Sequence, residues 1–238
     1  MVDTAEREAP SPRLLRGVGM GIGTLIGIVL VFVAIRVVTD WPNILDGTMP
    51  DNDFAERYID HPWRGYLHIA PGIVYLLGAP LQLSRRFRTR HYDVHRRLGR
   101  VLLTCALVSG LFAILFGVPF SWGRDAESAA AVVFGTWFLA CLLLAFRAIR
   151  SDNVPQHRRW MIRAFAVGIG IGTIRIWVGI FEGIEQGMSG GTTSAAPDHT
   201  MFGVAFWLAF TMHVAIGEWW LRRTPRSTGR SAQQLVAV

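Results

Sequence analysis

Six long stretches of predominantly apolar residues divide the chain, and they constrain its fold more than any other feature. The stretches run at about 17–38, 62–83, 101–120, 128–149, 160–182 and 201–220. About twenty apolar residues in a helix span the hydrocarbon core of a bilayer. The composition agrees, because 51% of the 238 residues are hydrophobic and only 17% are charged. The sequence therefore predicts an all-α integral membrane bundle of about six transmembrane helices.

The predicted domain organisation is one transmembrane domain between two polar tails. Residues 1–16 are the N-terminal tail, 17–223 the six-helix domain and 224–238 a C-terminal tail without predicted order. Within the domain, 62–182 is predicted to be the core, with the first and sixth helices packed outside it. The first stretch is too long for a signal-peptide core and is predicted to be retained. It carries three glycines at four-residue spacing that favour close helix packing, namely Gly19, Gly23 and Gly27.

The arginines predict the orientation of the chain. Each of the 24 basic residues is arginine, and lysine is absent. Nineteen arginines lie on one side of the predicted helices, in the two tails and in the connections 84–100 and 147–163, and four lie on the other side. Positive charge marks the cytoplasmic side, so we expect both termini in the cytoplasm of a bacterium. This distribution suits a membrane surface rather than nucleic acid, and anionic membrane lipids are the expected partners.

Three ionisable side chains lie deep inside predicted helices, where such groups are costly and usually functional. They are His68, Arg175 and His213. His68 and Arg175 fall at a similar depth from the outer side, and Pro71 after His68 predicts a kink with unpaired backbone. These features predict an outward-facing polar cavity that holds haem b or a quinone. His213 lies deeper, which counts against one haem shared with His68. The other outer-side candidates for a second iron ligand are His61 and His199.

The same residues leave other functions open. The chain could be a membrane redox protein, a small-molecule or lipid carrier, or a structural membrane protein without a ligand. A histidine bonded to a neighbouring helix would explain His68 as well as a cofactor would. No catalytic residue is predicted, so whether the protein is an enzyme stays open. The two cysteines, Cys105 and Cys141, form no CxxC pair, and no metal site is predicted.

Two similar motifs precede predicted helices on the arginine-rich side. The first contains His95, Arg96, Arg97 and Arg100, and the second contains His157, Arg158, Arg159 and Arg163. Helix N-termini with arginines suit anions, so these residues are predicted to bind anionic lipid headgroups or other anions. Charge that only sets the topology is the alternative. The repetition also raises the hypothesis that 62–120 and 128–182 are two versions of one hairpin.

A family resemblance follows from these motifs. The residues that carry it are His68, Gly78, Leu81-Gln82, His95-Arg96, Gly99-Arg100, the run His157-Arg158-Arg159-Trp160-Met161, Arg163 and Arg175. Over roughly 62–182, the chain resembles a family of predicted bacterial membrane proteins known as domain of unknown function 2306. The resemblance implies a polytopic membrane fold. It supplies no activity and no catalytic residue.

Overall fold

The computed structural model describes residues 11–50, 53–188 and 199–224, and its regular elements there are all helices. They are α1 (Pro12–Asp46), α2 (Asp53–Asp60), α3 (Pro62–Leu83), α4 (Arg85–Arg90), α5 (Tyr92–Gly117), α6 (Arg124–Arg150), α7 (Val154–Met188) and α8 (His199–Arg223). All except α2 and α4 are long and apolar enough to cross a membrane. The prediction of an all-α fold with six transmembrane helices is confirmed. Most of both predicted tails lies outside the described residues.

Several membrane helices extend beyond the apolar stretches that predicted them. α1 begins at Pro12, where the Ser11 hydroxyl accepts a hydrogen bond from the Leu14 amide over 3.3 Å. Serine before proline is a common helix start. The 35 residues of α1 span roughly 52 Å at 1.5 Å per residue, whereas the hydrocarbon core is about 30 Å thick. Apolar residues therefore mark the crossing itself, and polar helical turns continue into the interface on either side.

The bundle has two chemically different ends. Because six helices cross in alternating directions, the described chain begins and finishes at the same end. Most of the arginines lie at that end, in the first turns of α1, α5 and α7, the last turns of α6 and α8, and α4. We call it the arginine-rich end. The opposite end carries the short helix α2, and we call it the capped end.

The packed core joins α3, α5, α6, α7 and α8. The most extensive contacts are those of α3 with α5, α7 with α8, and α6 with α7. Leu102, Ala106 and Leu142 are among the buried residues at its centre. α8, which the sequence placed outside a 62–182 core, instead buries Ala205 and Ala209 completely against its neighbours. These small side chains allow α8 to approach closely, a feature that hydrophobicity alone does not reveal.

α1 is the peripheral membrane helix and packs mainly against α7. The close approach depends on Gly172 of α7, where an added Cβ would lie 2.9 Å from the carbonyl oxygen of Leu25. The glycines of α1 that predicted tight packing, Gly19, Gly23 and Gly27, have no described neighbour within 4 Å of such a Cβ. The small residue in this interface therefore lies on α7, and the glycine face of α1 contacts nothing in the described part of the chain.

The connection 39–61 is largely helical rather than an extended loop. α1 continues through Pro42 to Asp46 and ends at Gly47, whose φ of 64° is left-handed. Glycine adopts this conformation without steric cost, which explains the stop. Eight residues of α2 follow from Asp53 and contact α1 and α3. The segment is not apolar enough to have been predicted as a membrane helix, and its contacts with α1 and α3 hold α2 in place.

Candidate functional site

A cavity of about 220 Å³ lies inside the bundle towards the capped end. Its wall is formed by α1, α2, α3, α5, α6, α7 and α8 and is mostly apolar. The phenylalanines on this wall are Phe32, Phe116, Phe134, Phe138, Phe202, Phe206 and Phe210. Ligand pockets usually measure about 300–1,000 Å³ and combine apolar walls with a few polar groups. This cavity lies just below that range, so its size suits a small molecule.

The polar groups of the wall include an ion pair between α2 and α6. Nη1 of Arg57 lies 3.2 Å from Oε1 of Glu127 and donates a second hydrogen bond over 2.9 Å to the carbonyl oxygen of Phe120. Oε2 of Glu127 accepts a bond from the Gly123 amide over 2.6 Å. Both oxygens of this carboxylate are therefore occupied, and Glu127 is only 3% exposed. The pair fixes α2 over the cavity.

A second ion pair lies on α1. Arg36 contacts both carboxylate oxygens of Asp40, one of them from Nε over 2.9 Å. The Asp40 carboxylate, which is completely buried, also accepts a bond from the hydroxyl of Tyr66 on α3 over 3.2 Å. The Arg36 guanidinium lies over the ring of Tyr58, 4.6 Å from its centre. Asp40 is thus saturated by its own helix and by α3, and its charge is matched by that of Arg36.

Arg175 of α7 is the third guanidinium on the cavity wall, and no carboxylate among the described residues matches it. It makes no ion pair or hydrogen bond with any described residue, and its guanidinium lies over the rings of Phe32 and Phe54, 5.0 Å and 5.7 Å from their centres. Glu182, seven residues further along α7, has its side chain exposed. The described wall and its edge therefore hold three guanidiniums and two carboxylates, so the site carries an excess positive charge.

His68 of α3 is anchored to Ser109 of α5 by reciprocal bonds. The Ser109 hydroxyl donates to the His68 carbonyl oxygen over 2.7 Å, and Nδ1 of His68 lies 3.0 Å from the Ser109 carbonyl oxygen. Because a carbonyl oxygen only accepts, Nδ1 must carry the proton. The other ring nitrogen, Nε2, then has a free lone pair and forms no hydrogen bond with a described residue. The histidine on the wall therefore presents an acceptor.

The three intramembrane residues that the sequence singled out do not all meet. His68 and Arg175 lie on the wall of the same cavity, whereas His213 does not line it. His213 lies against its own helix, with Nδ1 3.0 Å from the Ala209 carbonyl oxygen, and also contacts the Thr173 hydroxyl at 3.4 Å. The contacts of His213 within α8 and with α7 leave it outside the cavity wall.

The cavity wall does not fit a haem with two axial ligands. His68 is the only histidine on the wall, and no methionine or cysteine is among the described residues that line it. His61 stacks on Phe120 at 3.8 Å, away from the cavity. His199 has Nδ1 2.8 Å from the Trp122 carbonyl oxygen. Among the described residues no group of three potential metal ligands occurs. Neither outer-side candidate therefore supplies a second ligand opposite His68.

At the arginine-rich end, the eight residues of the two motifs separate into different environments. Arg163 forms an ion pair with Glu218, with Nη2 donating to Oε2 over 3.0 Å. Arg159 donates to the Leu221 carbonyl oxygen over 3.3 Å, and Nδ1 of His157 lies 2.9 Å from the Ala145 carbonyl oxygen. The exposed members are Arg96, Arg97 and Arg100, and the partly buried ones without an ion pair among the described residues are His95 and Arg158.

Sequence reasoning missed most of the charged residues around the cavity. Arg36 and Asp40 are spaced four apart, which favours pairing on one helix, but the first helix was expected to end at 38. Arg57 falls between the predicted first and second helices. Glu127 precedes the predicted fourth helix by one residue. The i, i+4 spacing was the one available signal, whereas the pairing of α2 with α6 depends on tertiary structure.

Six apolar helices around a mostly apolar cavity with a few charged groups define a polytopic membrane protein with an internal site. The chain belongs to the DUF2306 family of predicted membrane proteins, whose model matches residues 65–221. The match extends past the 62–182 of the sequence resemblance and includes most of α8. It contains His68, Glu127 and Arg175, while α1 and α2 lie outside it. No curated protein and no solved structure is significantly similar to the chain.

Proposed function

We propose that this membrane protein binds a small amphipathic molecule that carries one anionic group, inside the cavity near its capped end. The observation that carries the proposal is the guanidinium of Arg175, which lies on a mostly apolar wall and is matched by no described carboxylate. An arginine at membrane depth is costly unless it is paired or solvated. An anion in the cavity would supply the missing charge.

The other charged groups of the wall that the structure describes cannot supply that charge. The carboxylates of Asp40 and Glu127 each have their own arginine and further hydrogen bonds. Moving either one to Arg175 would leave Arg36 or Arg57 uncompensated, at a cost of several kcal/mol for a buried charge. A carboxylate or similar group on a ligand neutralises Arg175 without breaking an existing pair. Charge-assisted bonds of guanidinium to oxyanions are also strong.

The apolar part of the ligand is suggested by the phenylalanine wall. Flat rings stack well against aromatic side chains, and such contacts contribute about 0.5–1.5 kcal/mol each beyond buried area. Phe134 and Phe210 already pack at a centre distance of 5.0 Å, with their ring planes inclined at 35°. A ring bearing one acidic group therefore suits the shape, polarity and charge of the site. Such a protein would act as a carrier or a receptor for this molecule.

The proposal is tested by identifying what remains bound after purification. Organic extracts of the wild type, Arg175→Gln and Arg64→Gln are compared by mass spectrometry. Arg64 is a matched control, because it lies at the capped end but is exposed and outside the cavity wall. An acidic amphiphile should be enriched with the wild type and Arg64→Gln and depleted with Arg175→Gln. Equal enrichment in all three, or no enriched molecule, would favour a structural protein without a ligand.

A quinone-binding redox protein is the second candidate, and the free Nε2 of His68 favours it. A quinol hydroxyl could donate to this lone pair while Arg175 donates to the oxygen at the other side of the ring. Redox chemistry would then come from the quinone, and the protein would orient it and accept a proton at Nε2. The extraction experiment separates the candidates, because a quinone would be depleted by His68→Phe as well as by Arg175→Gln.

We also propose that the arginine-rich end faces the cytoplasm of a bacterium and that the cavity opens towards the outer side of its inner membrane. The support is the distribution of arginine, which is enriched on the cytoplasmic side of membrane proteins. With this orientation, α2 and the cavity would be reached from outside the cell. A ligand would then enter from the outer leaflet or from the periplasm.

A further inference from the structure

We propose that the arginine-rich end contains a second site, specific for a phosphate group, formed by Gln82, Arg88, His95, His157 and Arg158. These side chains come from four elements, α3, α4, α5 and α7. This site is separate from the cavity at the capped end, and it does not depend on the function proposed for that cavity.

The residues of this phosphate site converge although they are distant in sequence. His95 at the start of α5 lies within electrostatic range of Arg88 and of His157, which begins α7. Arg158 lies within range of Arg88 as well. The end of α3 completes the group, because the Gln82 carboxamide oxygen would lie 3.5 Å from a Cβ added at Gly99, one turn after His95. Two histidines and two arginines therefore lie near one another at the arginine-rich end.

Two buried polar atoms of this site have no partner. Nε2 of Gln82 and Nδ1 of His95 are inaccessible to solvent, and neither forms a hydrogen bond with a described residue. Nearly all buried polar atoms in folded proteins are hydrogen-bonded, so each exception requires an explanation. An amide nitrogen can only donate, and a neutral imidazole donates from one of its two ring nitrogens, which in His95 can be Nδ1. Both atoms can therefore serve an oxygen-rich anion.

The phosphate site also has an excess of positive charge among its described residues, which favours binding of an anion. Arg88 and Arg158 are both partly buried and repel each other, and neither forms an ion pair with a described carboxylate. Asp93 and Asp152 at this end are exposed, and Glu218 is already paired with Arg163. Nothing in the described part of the chain therefore neutralises the two arginines.

The number of donors indicates phosphate rather than a carboxylate. Two guanidinium forks, the Gln82 carboxamide and the His95 imidazole offer more N–H groups than two carboxylate oxygens can accept, whereas a phosphate presents more oxygens and binds guanidinium forks well. Nδ1 of His157 is already engaged by the Ala145 carbonyl oxygen, so His157 borders the site without donating from that nitrogen. The site lies at the helix ends, where lipid headgroups occur and where basic pockets between membrane helices bind phospholipids. The phosphate could belong to a phospholipid headgroup or be free in solution.

The structure also separates this site from the other arginines that the sequence assigned to anion binding. Arg163 and Arg159 are occupied by Glu218 and by the Leu221 carbonyl oxygen. Arg96 lies over the ring of Tyr92 at 5.8 Å. Arg97 and Arg100 are exposed on the same end of the bundle. These last two residues serve as matched controls, since their removal changes the charge equally without touching the site.

The test measures binding of two probes to the full purified chain by native mass spectrometry. The probes are short-chain phosphatidylglycerol and inorganic phosphate, and whichever binds saturably identifies the source of the phosphate. The variant Arg88→Gln/Arg158→Gln should weaken that binding at least about tenfold, from two lost contacts at a membrane surface. Arg97→Gln/Arg100→Gln should change it less than about twofold. Equal weakening by both pairs, or no saturable binding of either probe, would overturn the proposal.

Two further variants keep the test decisive if the double glutamine variant folds poorly. Gln82→Leu removes the unpaired amide without changing charge, and it should weaken binding several-fold. Arg88→Lys/Arg158→Lys keeps both positive charges but loses the guanidinium forks. Its affinity for the phosphate probe should lie between that of the wild type and that of Arg88→Gln/Arg158→Gln. If Gln82→Leu and Arg88→Lys/Arg158→Lys both bind the phosphate probe as tightly as the wild type does, these side chains do not form a specific phosphate site.

Discussion

Arg57 and Glu127 are seventy positions apart in sequence and form a buried ion pair over 3.2 Å. The pair joins the short helix α2 to the first turn of α6. The Arg57 guanidinium also lies over the ring of Phe54, 4.4 Å from its centre. Arg57 therefore connects α2 to the rest of the bundle and also contributes to the cavity wall. The stability of the protein and access to the cavity thus depend on the same contact.

The first prediction concerns this ion pair. Glu127→Gln keeps the shape of the side chain but leaves the buried charge of Arg57 without a partner. The free energy of unfolding should fall by about 3 kcal/mol, because breaking one side of a buried pair costs about 3–5 kcal/mol. The measurement is a sodium dodecyl sulfate titration that follows labelling of the buried thiol of Cys141 in a Cys105→Ser background.

The control is the double variant Arg57→Gln/Glu127→Gln. It removes both charges and should be more stable than Glu127→Gln alone, since no uncompensated charge remains. The single variant Arg57→Gln completes the comparison. If the loss of unfolding free energy in the double variant equals the sum of the losses in the two single variants, the two side chains are not energetically coupled, and the role of the ion pair in holding α2 is refuted.

The second prediction concerns the contact between α3 and α5 beside His68. A Cβ added at Gly72 would lie 2.8 Å from the Ser109 hydroxyl oxygen. Gly72→Ala should therefore force the helices apart and destabilise the protein by about 1–3 kcal/mol, the usual cost of overpacking. Ser109→Ala removes the obstructing atom and leaves the Ser109 Cβ at an ordinary 3.7 Å.

Gly72→Ala should consequently be much less harmful in the Ser109→Ala background than in the wild type. The same unfolding titration measures all four proteins. Additive effects of the two substitutions on the unfolding free energy would show that the Ser109 hydroxyl does not exclude a side chain at position 72. The close contact of α3 with α5, on which the hydrogen bonds between His68 and Ser109 depend, would then be contradicted.

The third prediction concerns orientation. Single cysteines are introduced at Thr48, next to the end of α1, and at Ser151, between α6 and α7; both residues are exposed. In intact bacterial cells, a membrane-impermeant maleimide should label Thr48→Cys, whereas Ser151→Cys should react only after the membrane is permeabilised. A background in which Cys105 and Cys141 are replaced by serine removes unwanted reaction. Labelling of Ser151→Cys alone in intact cells would reverse the proposed orientation.

The fold was largely accessible from the sequence because apolar length decides whether a helix can cross a membrane. The second apolar stretch, 62–83, matches α3 at both ends, since Pro62 starts the helix and Ser84 stops it. The start of α5 was missed by nine residues because its first turns carry arginines. Those turns lie beyond the hydrocarbon, where hydrophobicity carries no information about helical structure.

The candidate site was accessible only in part. His68 and Arg175 stand out because ionisable residues are rare inside membrane helices. The remaining charged groups lie near helix ends, where charge is common and gives no such signal. Whether Glu127 reaches Arg57, and whether any carboxylate reaches Arg175, depends on how α2 packs over the bundle. Hydrophobic periodicity does not determine that packing, so the unmatched charge becomes visible only in three dimensions.

The most direct test of the central claim compares a charged probe with its neutral counterpart. Binding of 2-naphthoate and of 2-naphthamide to the purified protein is measured by isothermal titration calorimetry, for the wild type, Arg175→Gln and Arg64→Gln. The two probes share one ring system and differ in charge. If Arg175 holds an anionic ligand, the wild type and Arg64→Gln should bind the carboxylate at least about tenfold more tightly than the amide, a difference of about 1.4 kcal/mol. Arg175→Gln should lose this preference. An unchanged preference in Arg175→Gln, or equal affinity of the wild type for both probes, would contradict the account.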